Sequence, residues 1–212
     1  VAQYGPDFRN PFGHTPLMLA AAAGNTALVA ALLRRGADAA ADVLRDAVQR
    51  ASHAIYQVAQ SDPELAGMGT TVTAALLDGR QAYLAHVGDS RCYLARRDRI
   101  YQVSEDHSLV NEQLKAGSIT AEEARNSRFR NIITRSVGFE DQVAVDVHRL
   151  EVEPGDALIL CCDGLSNLVA DQEIRDIATG SRVGEAPAKL VALANDRGGD
   201  DNITVIVVKV GG

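Results

Sequence analysis

The stretch TVTAALLDGRQAYLAHVGDSRCYLARRDRIYQVSED, residues 71–106, reads as four short strands in succession. The runs 71–79, 80–88, 91–98 and 99–106 are short and largely apolar, and Asp78-Gly79 and the Arg97-Asp98 region are turn signals between them. Strand-like runs return at VAVDVHRLEV (143–152) and DALILCCDG (156–164), joined by the turn Glu153-Pro154-Gly155, and again at NITVIVVKV (202–210). Ahead of the strands, apolar residues recur with helical spacing from Ala39 to Gln60, and Asp62-Pro63 ends that helix. The polar stretch 107–130 predicts short helices around Val110–Ala116 and Ala121–Arg125, and two more are expected near 171–178 and 184–196. Hairpin-linked strands bracketed by helices predict an α+β fold with antiparallel sheets, not a parallel βαβ arrangement.

Residues 13–38, GHTPLMLAAAAGNTALVAALLRRGAD, have a different composition, rich in Ala and Leu. Thr15 caps a helix that starts at Pro16, Gly24-Asn25 interrupts it, and Gly36 closes a second helix. This helix-turn-helix resembles a single ankyrin repeat. One repeat cannot bury its own apolar face, so it must lean on further repeats or on the rest of the chain. The expected division is an ankyrin-like segment at 1–38 and a second domain at 39–212.

A net charge of −7 argues against a nucleic-acid partner, whose phosphates reward clustered Lys and Arg. Cys92, Cys161 and Cys162 stand in apolar contexts without a C-x-x-C pair, which reads as free thiols in a reducing, cytoplasmic setting. No stretch approaches the length of a membrane span, and no signal peptide is visible.

The chemistry is concentrated in carboxylates. ALILCCDGLSNLV, 157–169, is an apolar strand that ends in Asp163, and a bare charge beside a buried strand needs a hydrogen-bonded turn or a cation to compensate it. Asp201 opens the last strand, and Asp106 closes the strand that precedes it in the sheet-forming run 71–106. If the strands of Asp163 and Asp201 are antiparallel neighbours, both carboxylates share one sheet edge. Oxygen donors without Cys or clustered His favour a hard cation, Mg²⁺ or Mn²⁺. The alternative is that each aspartate caps a local turn.

The segments GMGTTVTAALLDGRQAYLAHVGDSRCYLARRDRIYQVSEDHSLV, NIITRSVG, EPGDALILCCDGLSNLV and GGDDNITVIVV occur in the order found in a known family. Over residues 39–210 the chain resembles the bacterial branch of the PPM-type (type 2C) metal-dependent protein serine/threonine phosphatases. The resemblance implies an antiparallel β-sandwich flanked by helices, with metals at one edge. It implies that Asp163 and Asp201 hold one metal and that Asp106 holds a further, weaker one. Asp89, in V-G-D-S-R, is expected to fix a tight connection between strands, and His107 to be a surface or turn histidine, with a proton-carrier role as the alternative. The implied reaction is hydrolysis of phosphoserine or phosphothreonine by a water activated between Mg²⁺ or Mn²⁺ ions. Phosphorylated proteins and a cognate serine/threonine kinase are the implied partners.

The family's N-terminal signature, an arginine followed by N-E-D and then D-G-x-G-G-H, has no counterpart in these residues. That absence removes the carboxylate that bridges two metals and the strands that carry it. The expectation is therefore weak metal binding, poor turnover and open sheet edges. A catalytically weak pseudophosphatase, an ankyrin-type module holding phosphoproteins or kinases, is the alternative.

Overall fold

The computed structural model describes residues 37–211. All but the last two residues of the ankyrin-like stretch 13–38, and of the expected segment 1–38, lie outside the described residues. The first helix, α1 (Ala37–Ser61), begins across the expected 38/39 division. A 3-10 turn at Pro63–Leu65, capped by Asp62, leads into the strands.

Those strands form two antiparallel sheets. β1 (Val72–Asp78), β2 (Gln81–Val87) and β5 (Asp146–Glu151) make a three-stranded sheet in the order β1-β2-β5. β3 (Arg91–Arg96), β4 (Arg99–Gln102), β6 (Ala157–Cys161) and β7 (Val205–Lys209) make a four-stranded sheet in the order β4-β3-β6-β7. The β1–β2 and β3–β4 turns fall at the two sites that the sequence marks. Gly79 and Arg97 adopt positive φ there, at 56° and 57°.

Strand alternation decides the layers. Leu84, Cys92, Leu158 and Leu160 point between the sheets and form one buried cluster. The opposite face of the first sheet, including Ala85 and Val87, packs under Val48 and Ile55 of α1. The opposite face of the second sheet, including Tyr93, Ile159 and Val207, packs under α5 (Asp171–Gly180) and α6 (Ala186–Asp196), with Ile174 and Leu190 as the main contacts. The result is a helix–sheet–sheet–helix sandwich, as the resemblance implied. Each fully buried Leu or Ile in these layers contributes about 1.5–3 kcal/mol.

Close approach fixes α1 to the body. A Cβ on Gly138 would lie 2.2 Å from Ile55 Cγ2. Beside it, buried Ser52 donates its hydroxyl to the Glu140 carbonyl at 3.1 Å and accepts the Gly138 N–H at 2.9 Å.

Several boundaries differ from the sequence reading. β6 stops at Cys161 instead of running to 164, because Asp163 opens a short helical turn, α4 (Asp163–Ser166). β7 starts at Val205, which leaves Asp201 in an irregular lead-in, and β4 ends at Gln102, which leaves Asp106 in a loop. The expected strand 143–152 is ordered as β5 only from Asp146. The two helices of 107–130 are α2 (Leu109–Lys115) and α3 (Ala121–Asn126), capped by Ser108 and Thr120. Among the described residues, β1, β5, β4 and β7 each have one edge without a strand partner.

Candidate active site

The β6–α4 corner and the lead-in to β7 are sewn together by one thiol. Cys162 donates to the Asn202 carbonyl at 3.0 Å and accepts the Thr204 N–H at 3.1 Å. Gly164 permits the contact, since a Cβ there would sit 2.4 Å from the Asn202 oxygen and 3.5 Å from Asp201 Cβ. Asp163 and Asp201 are thereby brought to one place from β6 and the β7 lead-in, as the antiparallel pairing of β6 with β7 requires.

Their charges repel. Burial and the neighbouring Asp201 charge push the Asp163 carboxyl above the ordinary range. Asp201 itself is exposed and accepts the Asn202 N–H at 2.6 Å through Oδ1.

A third carboxylate joins them. Asp89 sits in the β2–β3 turn behind Gly88, whose φ of 114° and absent side chain let it lie against Thr71. Burial and the charge of Asp163 push Asp89 up to about 6. The turn itself is held by Thr73, whose hydroxyl lies 3.0 Å from the Ser90 carbonyl, and by the Thr71–Ser90 hydroxyl pair at 3.0 Å. The sequence reading favoured a connecting part for Asp89 over a catalytic one, and Asp89 lines the same cleft as Asp163. Its position at a strand end beside glycine, like that of the other aspartates, was the available signal.

Asp106 is placed differently. Its carboxylate is gripped by Arg91, a residue the sequence reading did not single out, and Gln102 adds a hydrogen bond at 2.8 Å to Oδ1. A cation at Asp106 would have to share those oxygens with the guanidinium.

His107 is not a surface histidine. It is 7% exposed, accepts the Gly88 N–H on Nδ1 at 2.9 Å and faces Asp146 from Nε2 at 3.0 Å. Through its two ring nitrogens His107 braces the Asp89 turn against β5. Arg135 reaches the same Asp146 at 2.7 Å.

Asp89 and Asp163 lie in a cleft of about 710 Å³ that runs out between the 107–131 segment and the α4–α5 region. Asp201 and Gly164 line an adjoining small pocket of about 90 Å³, and Arg130, Asn167 and Leu168 border both. Among the described residues, no three His, Cys, Asp or Glu side chains form a group able to hold a metal ion by themselves. The donors present nevertheless suit a hard cation. They are oxygens only, they repel one another, and Mg²⁺ characteristically takes one or two carboxylates and completes its shell with water.

The Protein phosphatase 2C family profile matches residues 8–203, a span that includes the stretch read as ankyrin-like. The serine/threonine phosphatase stp of Listeria welshimeri is 41% identical over 167 residues, covering 78% of this chain and 66% of that protein. Protein phosphatase PhpP of Streptococcus pneumoniae is 45% identical over 157 residues, covering 74% and 63% respectively. The chain thus spans just under two thirds of the length of these curated relatives. The solved catalytic domain of the serine/threonine protein phosphatase PstP in complex with two manganese ions is 33% identical, with a TM-score of 0.80 over 94% of this chain and 82% of that one. With its sandwich, its carboxylate-lined edge and these matches, the chain belongs to the protein phosphatase 2C family, the PPM-type phosphatases.

Proposed function

We propose that this chain carries out metal-dependent hydrolysis of phosphoserine and phosphothreonine in proteins, with Mg²⁺ or Mn²⁺ held by Asp163 and Asp201. The observation that carries this reading is the convergence of Asp163 and Asp201 across Gly164, with no cationic side chain hydrogen-bonded to either. Bound divalent cations would supply charge stabilisation for the phosphoryl group and an acidified water. The chain's own residues position that chemistry. Cys162 and Gly164 set the spacing of the two aspartates, Asp89 closes the floor beside Asp163, and Arg91 orients Asp106 toward a weaker cation site. The manganese-bound relative PstP supports the choice of cation.

Phosphorylated proteins are the substrates on this reading, with a cognate serine/threonine kinase as the opposing enzyme in signalling. The free thiols Cys92, Cys161 and Cys162 support a cytoplasmic setting. Among the described residues no helix is long and apolar enough to cross a membrane.

Turnover by these residues alone is slow on this reading. That view is supported by the described residues, in which no three His, Cys, Asp or Glu side chains form a ready metal group, and by residues 1–212 holding no N-E-D or D-G-x-G-G-H segment. The same observation favours a second reading, in which the chain holds phosphoproteins without hydrolysing them. Calorimetric titration with Mn²⁺ and a phosphothreonine-peptide assay with and without EDTA separate the two. EDTA-sensitive phosphate release is expected; peptide binding without release establishes the second reading.

A further inference from the structure

The cleft that Asp89 and Asp163 line also carries two arginines that have no partner among the described residues. Arg125 lies in the last turn of α3, and Arg130 lies in the turn that follows; both are exposed and both line the cleft. Neither side chain hydrogen-bonds or ion-pairs with a described residue. The other two arginines of the cleft are committed: Arg91 to Asp106 and Arg197 to Glu173.

Free arginines are unusual beside an acidic floor in a chain of net charge −7. Such a floor repels an anionic peptide before any cation-bound phosphate can be reached, and local positive charge in the same cleft offsets that repulsion. The guanidinium fork is also specific, since it matches carboxylate and phosphate oxygens in paired hydrogen bonds. The size of the cleft adds a second constraint. At about 710 Å³ it falls within the range of sites that enclose whole ligands, and apolar Val110, Leu114 and Leu168 line it between the charged ends. A phosphate alone would leave most of it empty, whereas a peptide segment would occupy it.

We propose that Arg125 and Arg130 read an acidic side chain flanking the phosphorylated residue, so that the favoured substrates are phosphoserine or phosphothreonine segments with Asp or Glu beside the phosphate. The inference rests on the phosphatase reading of the same cleft. The phosphoryl group lies at Asp89 and Asp163, and the flanking carboxylate lies on the α3 side.

The test uses the 212-residue chain with Mn²⁺ and three labelled peptides. One is a phosphothreonine peptide with Asp and Glu flanks, one has the same phosphothreonine with Ser and Gln flanks, and one is the unphosphorylated acidic peptide. Binding is read by fluorescence anisotropy and hydrolysis by phosphate release, for wild type, R125Q, R130Q and the double variant. Wild type is expected to favour the acidic phosphopeptide over the neutral one by about two- to fivefold per arginine, the range of exposed ion pairs. That ratio should fall toward one in the double variant, persist in R125K/R130K and shrink in high salt.

A wild-type ratio of one overturns the inference, as does a ratio that survives in the double variant. Equal weakening of both phosphopeptides also overturns it, because the arginines would then act on the phosphate. An arginine-dependent binding preference without phosphate release keeps the inference and removes the hydrolase reading. Phosphate release without preference does the reverse.

Discussion

Arg91 closes on Asp106 with its Nε 3.0 Å from each carboxylate oxygen and its Nη2 2.7 Å from Oδ2. The same guanidinium donates through Nη1 to the Tyr93 hydroxyl at 3.0 Å, and that hydroxyl donates to Asp171 at 3.0 Å. A polar chain therefore runs from the cleft floor to the start of α5. The side chains are 26% and 14% exposed, so the pair is shielded from the screening that weakens surface ion pairs.

The first prediction follows from that shielding. Asp106→Asn leaves the Arg91 charge largely buried without its partner, which is expected to cost about 3 kcal/mol of stability. Urea unfolding in EDTA measures it. A loss of that size without metal shows that Asp106 supports the structure independently of any cation, whereas an unchanged midpoint refutes the supporting role.

Gly164 makes a sharper demand. Its missing side chain is what lets α4 meet the Asn202 carbonyl, and a methyl there would force the β7 lead-in outward. Gly164→Ala is expected to destabilise the fold by about 1–3 kcal/mol, the usual cost of overpacking, and to weaken Mn²⁺ binding as Asp201 moves from Asp163. Thermal unfolding and calorimetric titration on the same sample check both effects.

Asp201→Asn should act in opposite directions with and without metal. The Asp163 carboxyl is raised above its unfolded value by burial and by Asp201. The fold therefore favours its protonated form, and stability is lost as pH rises past the ordinary carboxylate range. Removing the Asp201 charge relieves part of that loss, so the metal-free variant is expected to be slightly more stable than wild type at pH 7. Added Mn²⁺ should stabilise wild type and do far less for the variant. Melting temperatures in EDTA and in Mn²⁺ give the comparison.

His86 predicts an acid limit. It is fully buried, and burial followed by the neighbouring His107 lowers it from 6.5 to about 4. Its Nε2 donates to the Glu105 carbonyl at 3.0 Å, which leaves Nδ1 facing the Thr73 hydroxyl at 3.0 Å. The unfolded chain takes up this proton first, so stability falls as pH drops from 6.5 toward 4, by on the order of 3 kcal/mol below that interval. Asp89, pushed up to about 6, works in the opposite sense, because the folded state takes up its proton first and gains stability on acidification. Unfolding free energies from pH 7 to 4 for wild type, H86Q and D89N separate the two. The H86Q slope should be shallower on acidification than that of wild type, and the D89N slope steeper.

Much of the sandwich was legible because its causes are local. The runs 71–79 and 80–88 fold as read, and the Asp78-Gly79 and Arg97-Asp98 turns fall where the residues place them. The carboxylates were less legible. Asp163 was read as the end of a strand, but it opens a helical turn, because Gly164 and Cys162 meet a backbone segment remote in sequence. His107 was read as a surface or turn histidine, but the bridge from Gly88 to Asp146 encloses it.

By itself the sequence determined the strand runs, the turns between them and the antiparallel α+β class, since apolar patterning and turn chemistry act over a few neighbouring residues. Only the tertiary structure decided that Asp106 meets Arg91, that Asp89 lines one cleft with Asp163 and that Arg125 and Arg130 form no ion pair with a described residue. Those outcomes depend on which distant strands and loops become neighbours. A charge interacts with whatever the fold brings within a few ångströms of it, and spacing along the chain does not record that.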